Sequence, residues 1–269
     1  MLDVNYIGVF LTFRCNMGCS YCLNRQGDFL NRKELEMFQW LPVLQALETR
    51  EDLPISLQGG EPTLYRDFYP LVVELSGMGK KLDLLTNGDF DVNQFLDRTS
   101  PEMFQRTAPY PSIRFSFHRN TNGPDLIRTV RRLHRRGYSV GIWGLSHPVM
   151  VKRNAWMKKM CEFAGLVYKE KEYLDSEHGT YKYPDAVTGL KNIQVKCYPS
   201  EILLAPDGKQ FPCHHFLYSG KEPVWNPGGS VACKDFGLCN PCDCKQKTDR
   251  LQRDNWCSVR IEKIVGQNG

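Results

Sequence analysis

Residues 13–22, FRCNMGCSYC, place Cys15, Cys19 and Cys22 in a C-x3-C-x2-C spacing. Thiolate is a soft ligand, suited to zinc or to iron–sulfur clusters. A structural zinc site is closed by four ligands, and this loop supplies three. Three clustered sulfurs fit a [4Fe–4S] cube better: three irons held by protein, the fourth open to a small molecule. A zinc knuckle with a distant fourth ligand is the competing reading.

A second group of cysteines fills the C-terminal third. Cys197 and Cys213 bracket an apparent hairpin, with EILLA as one strand, PDG as the turn and KQFPC as the return. Cys239 and Cys242 form a CxxC with Cys244 behind it. Two thiols from the hairpin and two from the CxxC make a closed four-sulfur set. Cys161, on a predicted helix, reads as a buried apolar thiol.

The 269 residues, 41% hydrophobic and 12% aromatic, suit one large domain or a moderate domain with a small appendage. Eleven cysteines in a chain without a secretory signal at MLDVNYIG point to metal rather than disulfides. No apolar run is long enough to span a bilayer, so the expectation is a soluble cytoplasmic protein with no membrane partner. A net charge of +5 suits an anionic substrate but is spread along the chain, which argues against a nucleic-acid partner. The densest basic stretch, residues 126–138, puts Leu126, Ile127, Val130 and Leu133 at helical spacing, with arginines on the solvated side.

The elements that must position the first cysteines alternate. Strands are predicted at 5–13, 53–58, 81–87, 111–117, 138–145 and 166–170, with helices near 32–49, 66–78, 91–98, 124–136 and 150–164. Six β–α units in succession predict a parallel sheet with crossover helices, two short of a closed TIM barrel. Functional residues then belong at the C-terminal ends of the strands. The cysteine loop, GGEP, TNG and SFH all fall there. Beyond residue 170 the alternation stops, and the expected division is a partial barrel over 1–175 and a linker with a cysteine-rich domain over 176–269.

CNMGCSYC resembles the CxxxCxΦC signature of radical S-adenosylmethionine (SAM) enzymes, with Tyr21 as the aromatic Φ. QGGEPTLY, 58–65, is similar to the GGEP motif of the same family. The resemblance implies a partial (β/α)6 TIM-like barrel and a [4Fe–4S] cluster on Cys15, Cys19 and Cys22, whose unique iron is chelated by SAM. In enzymes of this kind, the resemblance implies, electron transfer from the cluster would cleave SAM, and the 5′-deoxyadenosyl radical would abstract a substrate hydrogen. Gly59 and Gly60 would let backbone approach the SAM amino group closely. Glu61 would help fix the ammonium, and Pro62 would stiffen the turn. Asn87 and Ser116 stand where the family often contacts the ribose. GIWGLSH, 141–147, loosely resembles a stretch that contacts adenine. His118 and His147 reach the same rim without an assigned role.

The tail resembles the SPASM/twitch auxiliary domain, most clearly in C…APDGKQFPC. Cys244 follows the CxxC after one residue, which departs from SPASM spacing. The resemblance therefore implies the shorter twitch type, with one auxiliary [4Fe–4S] cluster on Cys197, Cys213, Cys239 and Cys242. Cys233, Cys244 and Cys257 stay open, as substitutes for a named ligand or as holders of a second cluster. Zinc in the tail is the alternative.

The implied function is oxidation or rearrangement of a small, anionic, sugar- or nucleotide-like molecule, dehydrogenase-like, with the auxiliary cluster accepting an electron. A flavodoxin- or ferredoxin-type protein would donate the first electron. Peptide maturation is the alternative enzymatic reading. Such enzymes often carry an N-terminal recognition domain, whereas this chain begins at its first strand. A non-enzymatic, zinc-stabilised binding protein is the third reading.

Overall fold

The structure is a computed structural model, and it describes residues 4, 6–20, 22, 24, 32–47, 53–105, 108, 110–172, 193–219, 222, 224–236 and 260–263. Six strands and five helices alternate through the first part of the chain: β1 (Tyr6–Thr12), α1 (Met37–Gln45), β2 (Ile55–Gly59), α2 (Phe68–Gly77), β3 (Leu82–Thr86), α3 (Val92–Arg98), β4 (Ile113–Phe117), α4 (Gly123–Arg135), β5 (Val140–Ser146), α5 (Val151–Ala164) and β6 (Val167–Glu172). Later come β7 (Ile193–Tyr198), β8 (Glu201–Leu204), β9 (Gln210–Phe211), α6 (His214–Ser219), β10 (Val231–Phe236) and β11 (Arg260–Lys263).

Among the described residues the strands form an eight-stranded sheet in the order β6-β5-β4-β3-β2-β1-β8-β9 and a three-stranded sheet β10-β7-β11. β1 to β6 are parallel to their neighbours, and β8 adds in parallel to the free side of β1, with Tyr6 opposite Glu201 and Val9 opposite Leu204. This is the mostly parallel partial barrel expected. The hairpin also forms where it was read: β8 and β9 are antiparallel, Leu203 opposite Phe211, and the turn closes through Gly208 N–H to the Ala205 carbonyl. The hairpin extends the sheet that carries the first cysteines.

The two sheet faces bury different things. Ile7, Val9, Leu11, Leu57, Leu84, Ile113, Phe115 and Ile142 pack against helix residues such as Trp40, Leu71, Phe95 and Leu126. The face turned away from the helices carries Tyr6, Phe10 and Phe13, which pack with Leu203, Phe211 and Leu217 from the hairpin region. With both faces covered, β1 is buried at every position, as the unbroken apolar run YIGVFLT requires.

Helix ends follow local chemistry. Asp91 caps α3 by accepting from Asn93 and Gln94 N–H, at 2.8 and 3.3 Å. Gly165 ends α5 in the left-handed region (φ +67°), and Leu166 N–H returns to the Cys161 carbonyl at 2.8 Å. On α4 the four predicted apolar residues are buried. Residues 48 and 49 of the expected first helix lie outside the described residues. One boundary differs: α1, Met37–Gln45, starts at Met37 rather than near residue 32. Tertiary contacts draw the preceding residues out of the helix. Leu35 N–H donates to the Pro206 carbonyl at 2.8 Å, Arg32 pairs with Asp207 at 3.0 Å, and Glu34 is held by Thr12 and Arg14. Among the described residues, no helix is long and apolar enough to cross a membrane.

Candidate radical SAM site

The loop leaving β1 carries Cys15, Cys19 and Cys22, none of them in a disulfide, the first exposed and the others half-buried. Polar contacts pin this loop to the ends of β2 and β3. Arg14 forks onto the Glu34 carboxylate at 2.8 and 2.9 Å and also donates to the Leu64 carbonyl at 2.9 Å. Asn16 Nδ2 donates to the Asp89 carbonyl at 2.7 Å, and Asn24 Nδ2 to the Gly59 carbonyl at 2.7 Å. Cys22 N–H donates to the Cys19 carbonyl at 3.2 Å, tightening the turn between the second and third thiols.

Gly59 and Gly60 have a structural reason of their own. Gly60 N–H donates to the Thr12 carbonyl, and Glu61 N–H to the Arg14 carbonyl, both at 2.8 Å. A Cβ on Gly59 would stand 2.1 Å from the Thr12 carbonyl oxygen, and one on Gly60 2.1 Å from that of Arg14. The glycines let the GGEP turn lie directly on the backbone that launches the cysteine loop. Pro62 opens a short 3-10 turn, Pro62–Leu64.

Glu61 is wholly buried. Its Oε1 accepts from Thr63 N–H (3.2 Å), Thr63 Oγ1 (2.7 Å) and Thr86 Oγ1 (2.8 Å), and its Oε2 from Asn87 N–H (2.7 Å). Burial pushes its pKa up, against the pull of these donors. The carboxylate thus ties the end of β2 to the end of β3. Asn87 continues the chain: its Nδ2 donates to Asn16 Oδ1 at 2.8 Å and to Cys15 Sγ at 3.6 Å. Ser116 lies on β4, one step beyond the registered pair Thr86 and Phe115, so it shares a row with Asn87. It also registers with Trp143 on β5.

Desolvation, then the negative charges of Glu61 and Cys22, push the Cys15 thiol up, against hydrogen bonds from Met17 N–H and Asn87. A metal ion bound here would favour the thiolate form and offset these charges. Among the described residues no three Cys, His, Asp or Glu side chains converge on a single ion. Three clustered sulfurs, one short of the closed set that zinc takes, are a donor set that fits a [4Fe–4S] cluster with one sulfur to each of three irons. Tyr21 lies outside the described residues.

His147 caps the turn before α5, its Nδ1 accepting from Val149 N–H at 3.2 Å. Cys161 is buried, and burial pushes its thiol up to about 12. In the tail, Cys197 is buried in β7 and its thiol is pushed up to about 12 by burial, then by Cys233 and Glu201. Val231 of β10 registers with Cys197, which leaves Cys233 two residues along. Cys213 and Cys233 border the same apolar cluster as Cys197. Cys239, Cys242, Cys244 and Cys257 lie outside the described residues.

The radical SAM superfamily matches residues 9–146, just over half of the chain. The chain belongs to this superfamily. Its members use a [4Fe–4S] cluster and SAM. An S-adenosylmethionine-dependent nucleotide dehydratase of Selenomonas ruminantium is 33% identical over 101 residues, 37% of this chain and 35% of that one. PqqA peptide cyclase of Bradyrhizobium diazoefficiens is 27% identical over 150 residues, 55% of this chain and 38% of that one. The match thus spans little more than a third of each relative. Streptococcus suis SuiB shares the fold, with a TM-score of 0.57 at 15% identity over 83% of this chain and 63% of that one.

Sequence reasoning missed the braces of the radical SAM site: Arg14 with Glu34, Asn16, Asn24 and Thr86. Their signal was present as polar residues at strand ends, but their partners lie up to 73 positions away.

Proposed function

We propose that this chain holds a [4Fe–4S] cluster on Cys15, Cys19 and Cys22 and acts on a C–H bond of a small, anionic, sugar- or nucleotide-like molecule. One observation carries the reading: three thiols sit on a loop braced against GGEP, with Cys15 within hydrogen-bond reach of Asn87, whose row includes Ser116. With SAM bound, the cluster supplies a 5′-deoxyadenosyl radical for hydrogen abstraction. Gly59, Gly60 and Pro62 shape the turn that meets SAM. Glu61 and Asn87 hold that turn and the cysteine loop in one geometry. Phe10 and Phe13, packed at 5.5 Å between ring centroids, help keep water from the inner face. The nucleotide dehydratase relative supports the substrate class.

An auxiliary [4Fe–4S] cluster on Cys197, Cys213, Cys239 and Cys242 would accept the substrate's electron, and a flavodoxin- or ferredoxin-type protein would supply the first. The peptide cyclase relative favours a second reading, in which the substrate is a ribosomally made peptide.

Anaerobic reconstitution tests the proposal. Absorption near about 400 nm with roughly eight irons per chain supports two cubes, and roughly four supports one. Dithionite and SAM should then yield 5′-deoxyadenosine, and Cys19→Ala should abolish it. Zinc without sulfide, or full turnover in Cys19→Ala, would overturn the assignment.

A further inference from the structure

Strand β6 reads VYKEKE. A strand alternates its side chains between faces, so Val167, Lys169 and Lys171 share one face while Tyr168 and Glu170 share the other. The contacts fix which is which. Glu170 Oε2 lies 3.4 Å from Asn154 Nδ2 of α5, and Glu170 Oε1 lies 3.5 Å from the Tyr168 hydroxyl. Tyr168 packs against the helix-side core. Glu170 therefore faces the helices, and both lysines face the inner side of the sheet.

Register carries these lysines to the radical SAM site. Lys169 pairs with Trp143, which pairs with Ser116, the row that includes Asn87. Lys171 pairs with Leu145, one step from the C-terminal end of β5. His118, just past β4, feels the charge of Lys171. Two residues along a strand are about 7 Å apart, and their flexible four-carbon stems let both ammonium groups converge on neighbouring phosphates of a polyphosphate. Both lysines are exposed, so a ligand can reach them. Ammonium groups on flexible stems suit phosphate as point charges.

We propose that Lys169 and Lys171, with His118 beside them, form a phosphate subsite at the β6 side of the radical SAM site, and that the substrate is a small phosphorylated molecule of the nucleotide class. The lysines take the phosphates. This holds the organic part of the molecule over the row of Asn87, Ser116 and Trp143. The inference rests on the proposed function and narrows its substrate.

Calorimetric titration tests it on the full chain, both unloaded and carrying its cluster, with CTP, GTP, tripolyphosphate and cytidine as probes. A nucleoside triphosphate should bind in both states, and added salt should weaken it. Lys169→Glu and Lys171→Glu should each weaken binding at least tenfold, while Arg128→Glu on the outer helix should not. Tripolyphosphate should compete and cytidine should bind far more weakly. Circular dichroism of each variant checks that the fold is kept, and Lys169→Gln and Lys171→Gln, expected to give smaller losses, separate charge from misfolding. Absence of triphosphate binding, or equal binding by folded lysine variants, overturns the subsite. Such a result from protein that forms its cluster and 5′-deoxyadenosine removes only the substrate class. A missing cluster with intact triphosphate binding removes the proposed chemistry and leaves the subsite standing.

Discussion

The side-chain amide of Asn87 donates to the sulfur of Cys15 across 3.6 Å, while its backbone N–H donates to Glu61 at 2.7 Å. A residue expected to meet a ribose is thus engaged with a cysteine of the cluster loop. Hydrogen bonds to ligand sulfurs stabilise the reduced, more negative cluster and raise its potential. Asn87→Ala should therefore load its cluster but shift the reduction potential to more negative values. An EPR-monitored redox titration checks this. An unchanged potential at full iron content would show that the contact does not survive metal binding.

Gly60→Ala should damage the site through packing alone. The new Cβ would meet the Arg14 and Phe13 carbonyl oxygens at 2.1 and 2.5 Å, and backbone atoms cannot rotate away. Overpacking of this kind costs about 1–3 kcal/mol. Displacing Arg14 also moves Cys15. Thermal denaturation should show the loss, and iron content after reconstitution should fall. Gly77, in the last turn of α2 with nothing among the described residues within 4 Å of its added Cβ, is the control. Gly77→Ala should be neutral or gain up to about 1 kcal/mol. Equal behaviour of the two variants would contradict the packing argument.

The order of strands and helices was legible because each element carries its own period and ends in its own stop signal. Gly165 closing α5 is an example. The start of α1 was not, because Glu34, Leu35 and Arg32 are claimed by partners on β1 and the hairpin turn. Local pattern holds no record of a carboxylate captured from 20 residues away. The cysteine loop and GGEP were legible as motifs, yet the reason for the glycines was not. It is the carbonyls of residues 12–14, which only the fold brings near. Strand β6 shows a third case. A strand over 166–170 is read from the sequence, but which of its faces meets the site depends on where α5 packs.

The buried pair of Asp83 and Arg114 gives a stability test. The two meet at 2.8 Å with almost no exposure, and the guanidinium lies 4.9 Å from the centre of the Tyr110 ring. Among the described residues Arg114 Nε finds no hydrogen-bond partner, so the guanidinium is incompletely satisfied. Removing one member leaves an uncompensated buried charge. Arg114→Ala should cost about 3–5 kcal/mol, whereas the apolar double replacement Asp83→Leu with Arg114→Leu should recover much of that loss. Urea denaturation of the three proteins decides it. A double variant as unstable as Arg114→Ala would show that the pair contributes net stability here.

His118 sets a pH dependence whose sign follows from its environment. Burial, and secondarily the charge of Lys171, lower its pKa from 6.5 to about 4. As pH falls below 6.5, the unfolded chain takes up a proton that the folded chain refuses until about pH 4. The unfolded state binds more protons throughout that window, so stability drops as pH drops. At about 1.4 kcal/mol per pH unit the full loss is on the order of 3 kcal/mol, less where solvent reaches the ring. His118→Gln has no proton to gain and should show a shallower fall of the urea midpoint between pH 6.5 and pH 4. Parallel pH profiles for the two proteins would mean that the imidazole titrates freely in the folded chain, out of reach of Lys171.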